Sequence, residues 1–372
     1  MKKPRVVILG TTLAAFGGAE VQIVLLLDFL SKAGERVGFI KMVDVEHERD
    51  IADVWNRSLS MNNVFGVVTG LLRFVCLIWT VRPDVLLAFN FPAIVLGRLA
   101  KLVYPSVRLI SCVQNQKMPG GIRLAWLRMT RSLDFRLIMN ADSTRPAVVE
   151  SGMGLEERIG VILNGVALTD PSSQKYRETA DAVRRKWGWG GDDLVWIAVA
   201  RMEKQKNYPG LLRAFDRVRK ESPVRQRLVI VGDGREMATV KCLVSELELS
   251  PDVHLAGFVP TPWREVAAAD AYVLASDWEG MSNSLQDAMA LGLPVVATKV
   301  GGVEELFEDG RAGFMAEVGE PDSLVQAMLR MSRLEPRERQ AMGRRARDLI
   351  VEGFSVPQKM AEWHDLIRQA SV

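Results

Sequence analysis

Short apolar runs alternate with helix-like patterns along most of this 372-residue chain, and this alternation limits the available folds more than any other feature. Apolar runs without a polar residue at every second position are typical of parallel strands buried on both faces. Parallel strands require crossover connections, which are usually helices, so the pattern predicts repeated β-α units. A chain of this length favours two domains over one. The sequence therefore predicts an α/β protein with two domains, each built on a parallel sheet.

The first half of the chain shows the pattern most clearly. The runs predicted as its strands are Val6–Leu9, Val37–Val43, Val85–Phe89, Val107–Val113, Arg136–Met139 and Val161–Leu163. Residues 167–192 are rich in turn formers at both ends, which is typical of a linker followed by the leading helix of a new domain. We therefore predict a first domain of residues 1–168 and a second that begins at residue 169.

Composition and charge exclude several function classes. The formal net charge of +3 is too small to favour a nucleic-acid-binding protein. Three cysteines, Cys76, Cys112 and Cys242, show neither a metal-binding spacing nor a disulfide pattern, which favours a reducing compartment. The three histidines are scattered, so neither a zinc site nor a histidine-based triad is predicted. No Asp-x-Asp pair suited to a metal–diphosphate site is present, and we predict no metal and no cofactor.

One stretch, residues 275–302, carries a polar loop and a short helix between two apolar strands. The N–H groups at the start of such a helix suit an anion, above all a phosphate. Glu279 precedes the helix and Asp287 follows its start, so the two carboxylates could hold the hydroxyls of a sugar and of a ribose. The spacing equally allows Asp287 to complement the helix dipole while Glu279 is merely solvated.

A second polar loop follows the apolar run Leu194–Ala200 and contains Arg201, Lys206 and Asn207. Open α/β sheets bind ligands at the carboxyl ends of their strands. Arginine binds phosphate in two-point fashion and lysine acts as a point charge, so the pair suits a diphosphate. Taken alone, an arginine and a lysine on a loop are usually only solvated.

The motifs of both loops resemble the donor-site signature of retaining glycosyltransferases of the GT-B fold, in particular glycosyltransferase family 4. The first loop matches through Glu279–Asn283, Ala288–Ala290, Gly292 and Pro294–Thr298. Asp287 stands where the family usually has glutamate, so its arm is one methylene shorter, and we expect the ribose contact to be kept or bridged by water. Further matches are the Arg201–Asn207 spacing, Gly232–Gly234, Gly257–Phe258, Gly17–Glu20, Val81–Val85 and Asn164–Val166.

The resemblance implies a GT-B architecture, with two Rossmann-like parallel-sheet domains facing across a cleft. Residues 1–168 would bind the acceptor, residues 169–355 the nucleotide sugar, and a last helix in residues 356–372 would cross back to the first domain. The implied donor-binding residues are Gly17, Gly18, Arg201, Lys206, Gly257, Phe258, Glu279, Gly280, Met281, Ser282, Asn283, Ser284 and Asp287. Among these, Arg201, Lys206 and Glu279 would be catalytic, because the cations neutralise the leaving diphosphate while Glu279 holds donor-sugar hydroxyls.

The predicted acceptor-binding residues are Asn90, Gln114 and Asn115, polar residues that follow two predicted strands of the first half. Many family members have a histidine at the end of the second of these strands, where this chain has Gln114 and Asn115. Neither residue titrates, which excludes an acid–base role at that position. Ordinary loop capping explains these residues equally well.

These features predict a metal-independent, retaining glycosyltransferase that uses a nucleotide sugar, with UDP as the expected nucleotide. A nucleotide-sugar epimerase is a second interpretation, disfavoured by the shortage of histidines, and a non-catalytic binding subunit is a third. A dehydrogenase is the least favoured, because Gly17-Gly18 lacks the dinucleotide glycine spacing.

The predicted acceptor is a lipid-linked glycan of surface-polysaccharide synthesis. Nine basic residues and two acids lie between Arg98 and Arg145, so an anionic membrane surface is a candidate partner, although a solvated face would look the same. The apolar run Val64–Val81 has Arg73 in its middle, which is costly within a bilayer. We therefore interpret it as an element of the α/β domain that could also meet a membrane surface, and expect a cytoplasmic or peripheral inner-membrane location.

Overall fold

A computed structural model of the chain describes residues 5–13, 18–45, 54–114, 117–168, 171, 174–189 and 191–371, with the backbone alone for 174–177. The chain divides into two compact units. The first domain comprises Met1–Gly165 together with Val356–Val372, and the second comprises Val166–Ser355. The second domain is therefore inserted in the sequence of the first.

The described residues of the first domain form a seven-stranded parallel sheet with the order β3-β2-β1-β4-β5-β6-β7. Its strands are β1 (Val6–Gly10), β2 (Val37–Lys41), β3 (Trp55–Ser58), β4 (Val85–Phe89), β5 (Arg108–Val113), β6 (Asp134–Met139) and β7 (Ile159–Val161). Its first five helices are α1 (Gly18–Lys32), α2 (Val64–Val81), α3 (Phe91–Val103), α4 (Gly121–Met129) and α5 (Arg145–Ser151).

The second domain has a six-stranded parallel sheet with the order β10-β9-β8-β11-β12-β13 among its described residues. The strands are β8 (Leu194–Val199), β9 (Gln226–Val231), β10 (Val253–Gly257), β11 (Ala271–Leu274), β12 (Val295–Thr298) and β13 (Gly313–Ala316). The helices are α6 (Gln174–Trp187), α7 (Tyr208–Glu221), α8 (Met237–Glu246), α9 (Trp263–Ala267), α10 (Asn283–Ala290), α11 (Val303–Leu306), α12 (Pro321–Ser332) and α13 (Pro336–Gly353).

The last helix, α14 (Val356–Ala370), completes the core of the first domain. Its buried residues Met360, Trp363 and Ile367 belong to the cluster that covers one face of the first sheet, together with residues of α1. The ring of Trp363 lies 5.8 Å from the ring of Phe89, in β4. Helices α2, α3, α4 and α5 contribute to the cluster on the opposite face.

The prediction of parallel β-α units is confirmed, and its errors concern the edges of the first sheet. Strand β3 was not predicted, because Asn56 and Arg57 are exposed and the segment has no continuous apolar run. The predicted strand Val161–Leu163 is wrong in position, since β7 begins at Ile159 and has only three half-buried residues. Edge strands lie against solvent, so their sequences carry a weaker apolar signal than central strands do.

Each sheet has one point where the strand order reverses, and ligands of open α/β sheets bind there, beyond the carboxyl ends of the strands. In the first sheet this switch point lies between β1 and β4. In the second sheet it lies between β8 and β11. The topology therefore selects the loops that follow these four strands as the places to look for function.

A buried ion pair joins the helical layer of the first domain to its sheet. The Arg98 side chain, on α3, is fully buried, and its Nε and Nη2 atoms donate to the two carboxylate oxygens of Asp134, on β6. Ser111 Oγ donates to Asp134 Oδ1 over 2.8 Å, and Arg98 Nη2 also donates to the carbonyl oxygen of Met153 over 2.8 Å. The carboxylate thus has three donors, which offset part of the cost of burying it.

Removing one partner should therefore destabilise the first domain strongly. We expect Arg98→Met to lower the free energy of unfolding by about 3–5 kcal/mol, because it leaves the Asp134 carboxylate buried without its cation. Arg5→Met is the matched control, since Arg5 forms an exposed pair with Asp84, and its cost should stay below about 1 kcal/mol. Urea unfolding of the full chain measures both, and equal losses for the two variants would contradict the role given to the buried pair.

Candidate functional site

The switch point of the second sheet brings together two loops that are far apart in the sequence. One follows β8 and contains Arg201 and Lys206; the other follows β11 and contains Glu279. The backbone N–H of Asp277 donates to the carbonyl oxygen of Gln205 over 2.9 Å. Asn207 Nδ2 donates to Asp277 Oδ1 over 2.8 Å, so side chain and backbone both hold the loops in register.

Glu279 is the most enclosed charged group of this site, with only 6% of its surface exposed. Lys206 Nζ forms an ion pair with its Oε1 atom, to which Ser276 Oγ also donates over 2.8 Å. Gln205 Nε2 donates to Oε2 over 3.0 Å and to the carbonyl oxygen of Trp278 over 2.7 Å. The carboxylate is therefore held by donors from both loops, which fixes its orientation before any ligand arrives.

The geometry leaves hydrogen-bonding capacity on both members of the ion pair. A carboxylate oxygen has about two lone-pair sites, so Glu279 Oε2, which accepts from Gln205, can accept from one hydroxyl more. The Lys206 ammonium group has three N–H donors and gives one of them to Glu279. The pair can thus bind a hydroxyl through the carboxylate and an anionic oxygen through the ammonium group.

The loop of Arg201 is positioned by a tight turn after β9. The backbone N–H of Met202 donates to the carbonyl oxygen of Asp233 over 2.8 Å. A Cβ atom on Gly232 would lie 1.9 Å from the carbonyl oxygen of Ala200, so the two backbones meet at a distance that only glycine allows. The Arg201 side chain is exposed, at the same edge of the sheet as Lys206.

Helix α10 begins a few residues after Glu279, at the carboxyl end of β11. Ser282 is its extended N-cap residue and Asn283 its first residue. The first N–H groups of a helix have no partner within the helix, and they carry a partial positive charge. Ser284 Oγ lies 2.8 Å from the hydroxyl oxygen of Tyr272. Gly280 and Met281 are buried and join Glu279 to this helix.

Asp287 lies in the second turn of α10, beyond the first turn where a carboxylate complements the helix dipole. This position disfavours the interpretation in which Asp287 serves only the helix. Its side chain is exposed, yet enough protein surrounds the carboxyl group for desolvation to raise its pKa from 3.8 to about 6.

A small pocket at the carboxyl ends of β8 and β11 adjoins Lys206 and Ser276. Two tyrosines line it, and burial raises the pKa of both Tyr208 and Tyr272, so their hydroxyls stay protonated. The Tyr208 hydroxyl donates to the carbonyl oxygen of Ala200 over 3.0 Å. The two buried tyrosines therefore stabilise the loops that follow β8 and β11 through hydrogen bonds to Ala200 and Ser284.

Gly257 and Phe258 were also predicted to bind the donor. Gly257 is the last residue of β10, and its carbonyl oxygen accepts from the N–H of Gly232 over 2.8 Å. This contact places the β10 loop beside the turn that supports Arg201. The Phe258 side chain is 43% exposed.

The predicted residues of the first domain lie at one edge of its sheet. Gly18 begins α1 after β1, Asn90 follows β4, and Gln114 follows β5. The N–H of Asn90 donates to the carbonyl oxygen of Cys112 over 3.0 Å, which ties the ends of β4 and β5 together. Gly17 and Asn115 lie outside the described residues.

Several residues of these sites were not predicted from the sequence. In the second domain they are Gln205, Ser276, Tyr208 and Tyr272, whose contacts join segments far apart in the chain. In the first domain, Asn140 Oδ1 and Thr144 Oγ1 are buried just beyond β6 without a hydrogen-bond partner in the described protein. The polar residue directly after a predicted strand was the available signal for Asn140 and Ser276.

Within the described residues, no group of three or more His, Cys, Asp or Glu side chains is arranged to hold a metal ion. The charged residues at this edge of the second sheet are instead Arg201, Lys206, Glu279 and Asp287. Independence of metals stays a prediction.

The glycosyl transferases group 1 family model matches residues 179–349, all of which lie in the second domain. N-acetyl-alpha-D-glucosaminyl L-malate synthase of Bacillus anthracis is 27% identical over 197 residues, which are 52% of this chain and 51% of that protein. UDP-Gal:alpha-D-GlcNAc-diphosphoundecaprenol alpha-1,3-galactosyltransferase of Escherichia coli is 28% identical over 213 residues, 56% of this chain and 54% of that protein. The chain thus spans about half the length of these curated relatives. The resemblance inferred from the motifs is confirmed.

Solved structures show the same fold along nearly the whole chain. HepE of Anabaena, in complex with UDP-glucose, has a TM-score of 0.82 at 20% identity and covers 98% of this chain and 99% of its own. Sucrose-phosphate synthase of Thermosynechococcus elongatus has a TM-score of 0.84 at 16% identity, covering 98% of both chains. The predicted fold class, GT-B with two Rossmann-like parallel-sheet domains, is confirmed.

The position of the Glu279 loop should depend on Gly301. Gly301 has a φ of +52°, and a Cβ atom there would lie 2.0 Å from the carbonyl oxygen of Gly280 and 2.7 Å from that of Glu279. Gly301→Ala should therefore cost more than the left-handed conformation alone, which is about 1–2 kcal/mol, because the loop must move. Gly319→Ala is the matched control, since Gly319 has a φ of +78° and no atom within 4 Å of its Cβ position.

Urea unfolding of the two variants measures the difference. We expect Gly301→Ala to lower the free energy of unfolding clearly more than Gly319→Ala does. The cost of Gly319→Ala comes from the left-handed backbone conformation alone. Equal losses would show that the loop tolerates a side chain at residue 301, contrary to the close packing of Gly301 against the Glu279 loop.

Proposed function

Since residues 179–349 of this chain belong to the glycosyl transferases group 1 family, we propose that the protein transfers a sugar from a nucleotide sugar to a glycan acceptor. The observation that carries the proposal is the Lys206–Glu279 pair at the switch point of the second sheet, beside Arg201 and the N-terminus of α10. An ammonium group, a guanidinium group and the N-terminus of a helix suit a diphosphate, and a fixed carboxylate suits sugar hydroxyls. This arrangement supports a donor site at the switch point.

We propose UDP as the nucleotide and a lipid-linked glycan as the acceptor. The related galactosyltransferase of Escherichia coli is named for UDP-galactose and an undecaprenol-diphosphate-linked sugar, and HepE of Anabaena is described in complex with UDP-glucose. The exposed Phe258 ring offers a stacking surface for the base, and Asp287 offers two oxygens to the ribose hydroxyls. The polar residues Asn90 and Gln114 of the first domain would bind the acceptor.

In the proposed reaction, the bond between the sugar and the diphosphate breaks as negative charge grows on the leaving oxygen. Arg201, Lys206 and the N–H groups of α10 stabilise that charge in place, without needing a metal ion. Glu279 holds the donor sugar by its hydroxyls. The acceptor hydroxyl attacks the face that the diphosphate leaves and passes its proton to a diphosphate oxygen, so the configuration of the sugar is retained.

The three cysteines are free, two of them exposed, which suits the reducing cytoplasm. We propose that the protein works there, peripherally on the inner face of the cell membrane, in the synthesis of a surface polysaccharide.

A donor screen tests the proposal. We expect one nucleotide sugar among UDP-, GDP-, ADP- and dTDP-sugars to raise the melting temperature of the purified protein, equally with and without EDTA. Arg201→Ala and Glu279→Ala should then reduce sugar transfer into a membrane lipid extract by at least about 100-fold, because each removes a group aimed at the reacting donor. Arg201→Ala should be as stable as the wild type, whereas Glu279→Ala leaves Lys206 without its partner, so its activity is compared per folded protein well below its melting temperature.

Arg217→Ala is the matched control, because Arg217 is exposed on α7 and forms its ion pairs away from the site. Its transfer rate should equal that of the wild type. Full activity of both site variants would refute the assignment, stabilisation that needs a metal would refute metal independence, and no stabilisation by any donor would favour a non-catalytic protein.

The raised pKa of Asp287 predicts a pH dependence of donor binding. Above pH 6 the ionised carboxylate accepts from both ribose hydroxyls, and below it protonation removes that capacity. With a pKa of about 6, the ionised fraction falls about fourfold between pH 7.5 and pH 5.5, so affinity for the UDP-sugar should fall by up to that factor. Calorimetry of the wild type and of Asp287→Asn at both pH values measures it. An equal pH dependence in the variant would remove Asp287 from the ribose site.

A further inference from the structure

Helix α2 presents a continuous apolar stripe to solvent. Val64, Val68, Leu72 and Trp79 follow one another at spacings of four, four and seven residues, which places them along one side of the helix. Their exposed fractions are 85%, 58%, 65% and 50%. Phe65, beside the stripe, is 79% exposed. Surface helices of globular proteins normally turn charged and polar residues outward, so this stripe requires an explanation.

The opposite side of α2 belongs to the core of the first domain. Phe74 and Ile78 are fully buried in the cluster beneath the helical layer. Gly66 and Gly70 lie against the connection that precedes the helix, where a Cβ atom would approach the carbonyl oxygens of Ser60 and Leu59 to 2.5 and 2.8 Å. By length and composition α2 could cross a membrane. Its packed side instead fixes it in the domain, so only the outward stripe is available to another surface.

The apolar surface extends over neighbouring helices of the same layer. Trp79 meets Tyr104, at the end of α3, edge to face with 5.7 Å between the rings. Leu102 on α3 is 54% exposed, and Ile122 and Met129 on α4 are 90% and 83% exposed. Residues of α2, α3 and α4 share one core cluster, so these helices cover the same face of the sheet. We call the exposed side chains of Val64, Phe65, Val68, Leu72, Trp79, Leu102, Ile122 and Met129 the α2–α4 surface.

The segment of sequence that carries this surface is predominantly basic. Residues 54–133 contain ten lysines and arginines and a single acid, Asp84, which pairs with Arg5. Arg73 on α2 and Arg123 and Arg128 on α4 are exposed. Exposed apolar side chains among cations match the boundary of an anionic lipid bilayer, where the apolar groups enter the headgroup region and the cations meet lipid phosphates. A symmetric contact with a second copy would instead bring two basic surfaces together.

We propose that the α2–α4 surface docks the protein on an anionic lipid bilayer, with α2 lying along the headgroup region rather than crossing it. The inference rests on the peripheral membrane location proposed above and deepens it, since it assigns the first domain a membrane-binding surface made of named residues. Vesicle binding can be measured without any donor, so its failure would leave the donor-site proposal standing.

The test uses the full chain and sedimentation with vesicles of phosphatidylcholine alone or with phosphatidylglycerol. We expect binding to the anionic vesicles that weakens with added salt. The double variant V68E/L72E should bind at least about tenfold more weakly, because it places two carboxylates in the stripe. The control V318E/V351E makes the same change at two side chains of the second domain that are 40% and 42% exposed, and it should bind as the wild type does.

Trp79 supplies a second readout that is independent of sedimentation. Its emission, taken as the difference between the wild type and Trp79→Phe, should shift to shorter wavelength when anionic vesicles are added, because the indole leaves water. The proposal is overturned if the wild type binds no anionic vesicles, or if V68E/L72E binds them as the wild type does. It is also overturned if the only effect of V68E/L72E is to convert an oligomer to a monomer and the emission wavelength of Trp79 does not change when vesicles are added.

Discussion

The contact between Lys206 and Glu279 joins the two loops on which the second-domain site depends. The two residues are 73 positions apart, and only the adjacency of β8 and β11 brings them together. Both side chains are largely removed from water, at 18% and 8% exposure, so each charge needs its partner. A diphosphate that binds here would contact a Lys206 ammonium group that is already paired with Glu279 and largely removed from water. The free protein therefore already holds the charge arrangement that the proposed reaction uses, with little reorganisation left for the ligand to drive.

Local signals explain how much of this site could be predicted. The loops of Arg201 and Glu279 each follow a continuous apolar run and contain turn formers, so their position at strand ends was visible in the sequence. The support given by Gln205 and Ser276 was not, because it depends on which strands become neighbours. Asp287 is a second example. The sequence gives the number of residues between Glu279 and Asp287, but it does not give the first residue of α10, on which the place of Asp287 in the second turn depends.

The fold was predicted best where strands are buried on both faces and worst where they meet solvent. Central strands such as β4 consist of five consecutive apolar residues that are all buried, a pattern that predicts a buried parallel strand without ambiguity. Strand β3 has two exposed polar residues among four, and its pairing with β2 alone defines it. Helix α2 shows the converse problem: hydropathy marks a residue as apolar, but not whether its neighbour is protein, lipid or water. The packing of Gly66, Gly70, Phe74 and Ile78 in the structure separates the inner side of the helix from the outer.

The placement of α14 has a consequence for how the protein is made. Its residues Met360, Trp363 and Ile367 complete the core over α1, yet 190 residues of the second domain, Val166–Ser355, are synthesised in between. At about 5–20 residues per second, a ribosome needs roughly 10–40 s to bridge that gap. During this time Ile23 and Leu26 of α1 lack their final cover. The domain that begins first is therefore completed last, and nascent chains stalled in the second domain should be the ones that chaperones retain.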